Sequence, residues 1–425
     1  MTTAPVPSAG LRRSAPRSSW RSVVAAGLGN VMEWYDVIIY AYMAPVLAVL
    51  FFPKSDQTAG LISTYAGLLI SYLIRPVGAM VIGNLADRHG RKAALTLTIG
   101  LMTIGVAIIA VTPTYATIGV AAPAILMVSR LIQGFSAGGE FGAATTFMAE
   151  SAQVGRRFLA SWQAATQGMA MILAGVSGWL LFTTVDTETL HSWAWRLPFV
   201  FGILIGPIGL WIRNRIPDTE EFRATEPIAN PLRTTLRDHW GRVLVGTLCV
   251  GMAGMGVYLI TFLAAYALRL DLAQWSGYAA AATAGTVIAV LAPCFGRLAD
   301  RIGAVPILLT AAVVGFVSIY PLLSFLLSHR TTGALILVEA FIGVIIAAYF
   351  GTLTGLLVEL FDTEVRTTGI ALSYNVGMIF MGSLGPLLLT AWSDVTLRAP
   401  AYYFMMIAPL SVIGVVLARK VYRQP

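Results

Sequence analysis

Glu33 and Asp36 stand three residues apart inside an apolar run, and two arginines, Arg75 and Arg130, lie in other apolar runs. Gln133 follows Arg130 by one helical turn, and Gln163 and Gln167 are spaced four apart on one face of another run. An ionised carboxylate withdrawn from water is expensive unless it is paired, protonated or hydrated. A carboxyl that gains and loses a proton in such a place is what a proton carrier needs. Glu33 and Asp36 are therefore the expected proton-coupling residues. Arginine keeps its charge under any ordinary perturbation, and its planar fork takes a carboxylate through two parallel hydrogen bonds. Arg130 is thus the expected anchor for an anionic substrate, with Gln133 as a neutral donor beside it. The competing reading is a permanent ion pair between one of these acids and Arg75 or Arg130 that only holds helices together. Arg75, followed by Pro76, is a candidate for substrate contact or coupling, with a snorkelling side chain as the alternative. Gln163 and Gln167 are expected to bind a substrate carboxylate or hydroxyl, with helix packing as the competing account.

The elements that must position these residues follow from composition. The chain has 425 residues, 57% hydrophobic and 11% charged, with a mean hydropathy of +0.78. A soluble domain carries about 25% charged residues, so an integral membrane protein is expected. Apolar stretches long enough to cross a bilayer fall near 22–50, 59–84, 93–112, 118–149, 158–184, 195–212, 243–268, 274–296, 304–327, 333–360, 367–391 and 401–418. With twelve spans both termini share a side. That side carries 21 of the 28 Lys and Arg, the opposite side 5, and 2 lie inside spans. The positive-inside rule puts both termini in the cytoplasm. The net charge of +8 is then a topology signal, and nucleic acid is not expected as a partner. Residues 1–21, rich in Ser, Pro and Arg, are predicted to be a disordered cytoplasmic tail without a cleaved signal. Two cysteines, Cys249 and Cys294, suggest neither disulfides nor a metal site.

The longest polar stretch, 213–242, divides the spans six and six. The predicted organisation is an N-terminal six-helix bundle at 22–212, a cytoplasmic linker at 213–242, a C-terminal bundle at 243–418 and a short tail at 419–425. The halves echo each other. "GNLADRHGRK" at 83–92 returns as "GRLADRIG" at 296–303, and Glu150, Arg157 and Gly168 return as Glu359, Arg366 and Gly377, each 209 residues later. Paired six-span repeats suit alternating access with a central site between them.

The loop G-x-L-A-D-R-x-G-R-K resembles the signature of the major facilitator superfamily. "GNVMEWYDVIIY" (29–40), "YLIRPVGAMVIG" (72–83) and "RLIQGFSAGGEFG" (130–142) resemble its metabolite–proton symporter family. That family carries citrate, α-ketoglutarate, shikimate, proline and betaine, and the similarity runs from about residue 22 to 420. The resemblance implies an all-α fold of twelve membrane helices in two pseudo-symmetric bundles. It also implies a bacterial inner-membrane location, a proton gradient as energy source and no cofactor. Two departures stand out: Gly303-Ala304-Val305 lacks the basic pair usual after that glycine, and Gln153 replaces a common proline. The window "SWQAATQG" is similar to citrate-type members.

The remaining in-span and loop groups have assigned expectations. Tyr258 and Asn375 are the expected far wall of the pocket. Glu140, nearer the cytoplasmic end, is expected in a gate or proton route. Asp87, Arg88, Arg91, Glu150, Arg157, Asp300 and Arg301 are expected to form charge contacts that hold one conformation and break in another. Gly134, Gly138 and Gly142 read as helix-packing positions. No Walker loop, metal-binding cluster or nucleophile–base pair offers competing chemistry. The predicted function is import of a small organic anion, citrate-like, with protons, by a monomer in the lipid bilayer. The alternatives are a zwitterion (proline or betaine) or shikimate symporter, or a drug-type efflux antiporter.

Overall fold

A bilayer offers the backbone no hydrogen-bond partners, so apolar runs of this length must satisfy their amides within helices. The computed structural model describes residues 20–53, 57–89, 91–138, 140–150, 155–213, 231–363 and 365–422, and the described residues contain no strand. The first half contains α1 (Trp20–Tyr42), α2 (Ala44–Phe51), α3 (Gln57–His89), α4 (Arg91–Val111), α5 (Tyr115–Ile118), α6 (Ala121–Ala137) and α7 (Glu140–Glu150). It continues through α8 (Arg156–Ala160), α9 (Trp162–Thr184), α10 (Thr187–Ser192) and α11 (Leu197–Arg213). After α12 (Pro231–Asp238) come α13 (Trp240–Tyr266), α14 (Gln274–Ile302), α15 (Ala304–His329) and α16 (Thr332–Leu360). The chain closes with α17 (Arg366–Gly377), a π-helical stretch at Met378–Ser383, α18 (Leu384–Ser393) and α19 (Ala399–Tyr422). Residues 214–230 of the predicted linker and the tails at 1–19 and 423–425 lie outside the described residues.

Among the described residues, eight helices are long and apolar enough to cross a membrane, or nine if one bent pair counts as a single span. That pair is α1 and α2, which meet at 61°. Pro45, in the first turn of α2, has no N–H to give the carbonyl one turn earlier, and the run predicted as one span breaks there. Within the run predicted over 118–149, α6 ends at Ala137 and α7 begins at Glu140. Gly138 keeps helical dihedrals (φ −55°, ψ −39°). Shorter apolar helices at Thr96–Val111 and Ala194–Leu204 complete the set.

The two halves meet along α9 and α14, and there the contact is made by small residues. A Cβ placed on Gly168 would lie 2.6 Å from the Ala289 amide nitrogen, and one on Gly285 2.8 Å from the Gly168 carbonyl. Only glycine permits backbones this close. Within the first half, Gly134 and Gly138 seat α6 against the backbone of α3 at Ser71 and Arg75, whereas Gly142 seats α7 against Thr367 of α17. The glycine stripe thus serves packing inside one half and contact between halves.

We call the end carrying residues 213–242 the linker end and the opposite one the distal end. α1 runs from the linker end, so Glu33 and Asp36 fall deep in the bundle.

Candidate functional site

Glu33, Asp36, Arg75, Arg130, Gln133, Gln163, Gln167, Tyr258 and Asn375 are all buried, none more than 7% exposed. The helices bury all of them but turn them to different neighbours. Glu33 of α1 faces Arg75 of α3, with Oε1 3.5 Å from Nη2. Asp36 turns elsewhere: a Cβ on Gly202 of α11 would lie 2.6 Å from its Oδ1. Gln133 also turns inward within the first half, its Cγ resting where Gly105 of α4 lacks a side chain.

Arg130 is 1% exposed, and its Nε and Nη2 have no hydrogen-bond partner among the described residues. Its guanidinium lies over the Tyr40 ring, 3.8 Å from the centroid. Arg75 lies over Tyr72 in the same manner, at 4.0 Å. A desolvated cation–π contact contributes about 2 kcal/mol, whereas a buried ion loses several kcal/mol of hydration even after relaxation. The ring alone does not offset that loss for Arg130. Asp36 is within electrostatic range of Arg130, but the two form no ion pair among the described residues. A bidentate anion would meet the unused donors of Arg130.

Gln163 is partly spent on packing. Its Nε2 donates to Asn30 Oδ1 at 2.8 Å, while Asn30 Nδ2 donates to Thr166 Oγ1 at 2.7 Å, joining α1 to α9. Its Oε1 is left without a partner, as are both amide atoms of Gln133 and of Gln167 among the described residues. Gln167 neighbours Gly168 at the contact with the second half. Tyr258 reaches across to the first half, its ring edge-on to Tyr72 at 6.3 Å.

Toward the linker end the halves are joined by aromatic and charged contacts. Phe141 stacks on Tyr374 with ring centroids 3.4 Å apart, and Asn375 Nδ2 donates to the Gly138 carbonyl at 3.1 Å. Asn375 therefore ties α17 to the end of α6, and its Oδ1 has no partner among the described residues. Glu140 is half-buried at the start of α7. Beyond them Arg157 meets Glu359 in a bidentate pair, Nε–Oε1 2.7 Å and Nη2–Oε2 2.9 Å. Its Nη1 donates to the Ala299 carbonyl at 2.6 Å. Asp300 accepts the backbone amides of Arg157 and Phe158, both at 3.1 Å, so the acid of the second loop copy holds the first turn of α8. Arg301 is exposed. The side chains of Asp87, Arg88, Arg91 and Glu150 lie outside the described residues.

The distal end is closed by phenols. Tyr278 of α14 donates to the Tyr42 carbonyl at 2.9 Å, its ring 5.6 Å from that of Tyr42 and stacked on Phe182 at 4.9 Å. With both ends joined, the polar groups between them are occluded.

Several participants were not among the expected site residues. Tyr72 and Tyr40 cover the guanidiniums. The spacing of Tyr72 and Arg75, one turn apart, was the available signal, but a tyrosine in an apolar run reads first as packing. Tyr42 and Tyr278, 236 residues apart, leave no local signal.

The sequence pattern of the Major Facilitator Superfamily matches residues 26–374 and 287–425. A citrate-proton symporter from Salmonella typhi is 31% identical over 387 residues, 89% of this chain and 89% of its own length. A proline/betaine transporter from Salmonella typhimurium is also 31% identical, covering 92% of this chain and 82% of its own length. Among solved structures, a D-xylose-proton symporter superposes with a TM-score of 0.74 at 15% identity, over 94% of this chain and 97% of that one.

Proposed function

The chain belongs to the Major Facilitator Superfamily, a family of carriers and not of enzymes, and from that premise we propose that it imports a small organic anion, citrate-like, together with protons. It is a multi-pass membrane protein. In this reading it has twelve spans in two bundles, at 22–212 and 243–418. Both termini and the 213–242 linker lie in the cytoplasm of a bacterial inner membrane, and the monomer is the working unit.

The observation that carries the substrate class is Arg130: a buried guanidinium that, among the described residues, has two unpartnered donor nitrogens and no ion pair with a carboxylate. Gln133, Gln167 and Tyr258 supply neutral donors around an anion, the free oxygens of Gln163 and Asn375 would accept from a substrate hydroxyl, and Arg75 supplies a second charge. Glu33, held against Arg75, is the acid whose proton would be exchanged for that pairing, with Asp36 as the other acid of the set and Glu140 on the path toward the linker end. Substrate and proton would then compete for the same cations, which couples them. The contacts of Arg157 with Glu359 and Asp300 would hold the linker end shut while the distal end opens, with Asp87, Arg88, Arg91, Glu150 and Arg301 belonging to the same loop set.

The proline/betaine relative supports a second reading, a zwitterion carrier. Quaternary ammonium groups are recognised by open aromatic faces, and here guanidiniums already lie on Tyr40 and Tyr72, which favours the anion. Uptake into proteoliposomes under an imposed proton gradient separates them. Citrate or dicarboxylate accumulation is expected; betaine accumulation that carboxylates do not inhibit would overturn the assignment.

A further inference from the structure

One acid of the second half lies apart from all these contacts. Glu339 is 0% exposed, and neither of its carboxyl oxygens has a hydrogen-bond partner among the described residues. It sits seven residues into α16, about 10 Å below the distal end of that helix. One turn further on, Gly343 lets α16 press against Ala284 of α14, where a Cβ would meet its carbonyl at 3.1 Å. Glu339 therefore lies just inside the closure that Tyr278 makes one and a half turns before Ala284.

The end of α1 completes the surroundings. The Tyr42 phenol is within electrostatic range of Glu339 and has no hydrogen-bond partner of its own among the described residues. Its carbonyl is the group that Tyr278 holds.

Among the described residues no cation forms an ion pair with Glu339. The titratable side chains that the distal halves of the helices around α16 contribute are Tyr42, Tyr278, Tyr258, Tyr266, Tyr320 and His329. Tyr266 donates to the Leu397 carbonyl, Tyr320 lies against Tyr402, and His329 is exposed with its ring tilted against Phe325. Among the distal charges, Arg269 pairs with Asp394 at 2.6 Å, Arg330 lies 4.0 Å from Asp271, and Arg398 lies over the Tyr320 ring, 5.5 Å from its centroid. The charges at the linker-end closure, Arg157 and Glu359, belong to the far end of α16. A bare carboxylate among phenols and aliphatic groups loses its hydration and gains no partner. It is compatible with the closed arrangement as a neutral acid and with an open one as an anion in contact with water.

We propose that Glu339 is a second proton-binding site, separate from Glu33 and Asp36, that the distal solution loads when the Tyr42–Tyr278 contact opens, and whose protonation permits that contact to close. The inference rests on the reading of the protein as a proton-coupled carrier, yet it concerns the closure and not the substrate. The linkage has a definite sign: the closed form holds the proton, so alkaline pH favours opening and acid favours closing.

The test follows the closure itself. Ser276, 0% exposed on α14 two residues before Tyr278, is replaced by cysteine (Ser276→Cys) after Cys249→Ala and Cys294→Ala. Labelling by a membrane-impermeant maleimide is then followed on the reconstituted full chain without substrate, with rates corrected for thiol ionisation by a free-thiol control. The corrected rate should climb with pH, by at most about tenfold per pH unit for one linked proton. Glu339→Gln, which mimics the protonated acid, should label slowly and evenly across pH, and Glu339→Asp should retain a pH dependence with a displaced midpoint. A Glu339→Gln protein that keeps the parent's pH profile overturns the proposal. So does a parent profile that is flat. Because no substrate is present, the proposal can fail while anion uptake succeeds. If no organic acid is accumulated but the pH-dependent labelling and its loss in Glu339→Gln are seen, the substrate reading falls and the proton site stands.

Discussion

The two ends of the bundle are closed by different chemistry. At the linker end a guanidinium, two carboxylates and a helix start interlock: Arg157 grips Glu359 through two bonds while Asp300 takes two backbone amides of α8. At the distal end the hydrogen bond between the halves, among the described residues, is from one phenol to one carbonyl, with rings packed around it. Charge-assisted hydrogen bonds contribute about 1.5–3 kcal/mol and a neutral one about 1 kcal/mol. The linker end is partly wet, Glu359 being 30% exposed, which lowers the figure there. In the proposed import reading this difference would act as a bias: the strong lock would lie on the side of release and the light one on the side of entry.

Between the two ends lie the groups that substrate and proton would share, and the largest effect is expected there. Arg130→Ala or Arg130→Lys should weaken anion binding by about 2–5 kcal/mol, roughly 30-fold or more, because truncating a buried charge partner strands the other charge. Calorimetry with the substrate found in uptake assays measures it; normal binding by Arg130→Ala would leave Arg130 a packing residue. Glu33→Gln should separate exchange from accumulation. It mimics a protonated acid, so labelled substrate should still exchange across the membrane while gradient-driven uptake fails, and Asp36→Asn should do the same if Asp36 carries the proton. Uphill uptake persisting in both variants would move proton transfer away from this pair.

The ends themselves come next. Arg157→Ala should shift the population toward a linker-open form by about 1–2 kcal/mol, roughly five- to thirtyfold. A spectroscopic distance across the linker end, read in nanodiscs, would record it. Tyr278→Phe removes only the hydroxyl and should shift the distal end by about 1 kcal/mol, roughly fivefold. The comparison fails if Tyr278→Phe opens its end as far as Arg157→Ala opens the other. The smallest effect concerns a loop at the distal side. Asp186 caps α10 by accepting the Thr189 amide at 2.9 Å, and this bond holds its carboxyl below the usual carboxylate range. The contribution is complete at neutral pH and lost only as pH falls through that depressed value. Asp186→Ala should therefore lower thermal stability slightly near neutrality and leave it unchanged in strong acid.

Much of this was legible from residue types. Helical class, membrane location and family follow from apolar run length and from three motifs. The buried acids and arginines of the first half were visible as charges where charges are costly. What stayed hidden depends on direction. Glu33 and Asp36 look equivalent in sequence, and only the packing of Arg75 against one and Gly202 against the other separates them. Gln163 and Gln167 look like a matched pair, yet one is bonded to Asn30 while both amide atoms of the other have no partner among the described residues. Glu359 was visible as a repeat of Glu150, but its partner is Arg157 from the other half, which no offset within a repeat can reveal. The bend at Pro45 was missed because the run is apolar on both sides of it.

That bend has a consequence for how the protein tolerates change. The group that Tyr278 grasps is a main-chain carbonyl at residue 42, beside the 61° break. A carbonyl is present whatever amino acid occupies the position, so replacing Tyr42 can alter the packing of the closure but cannot delete its acceptor. The fragile positions are Tyr278, which brings the hydroxyl, and Pro45, which sits at the break that presents the acceptor. Mutational scanning should therefore find the distal closure robust at the residue that forms it and sensitive three residues later, at one that makes no contact with Tyr278.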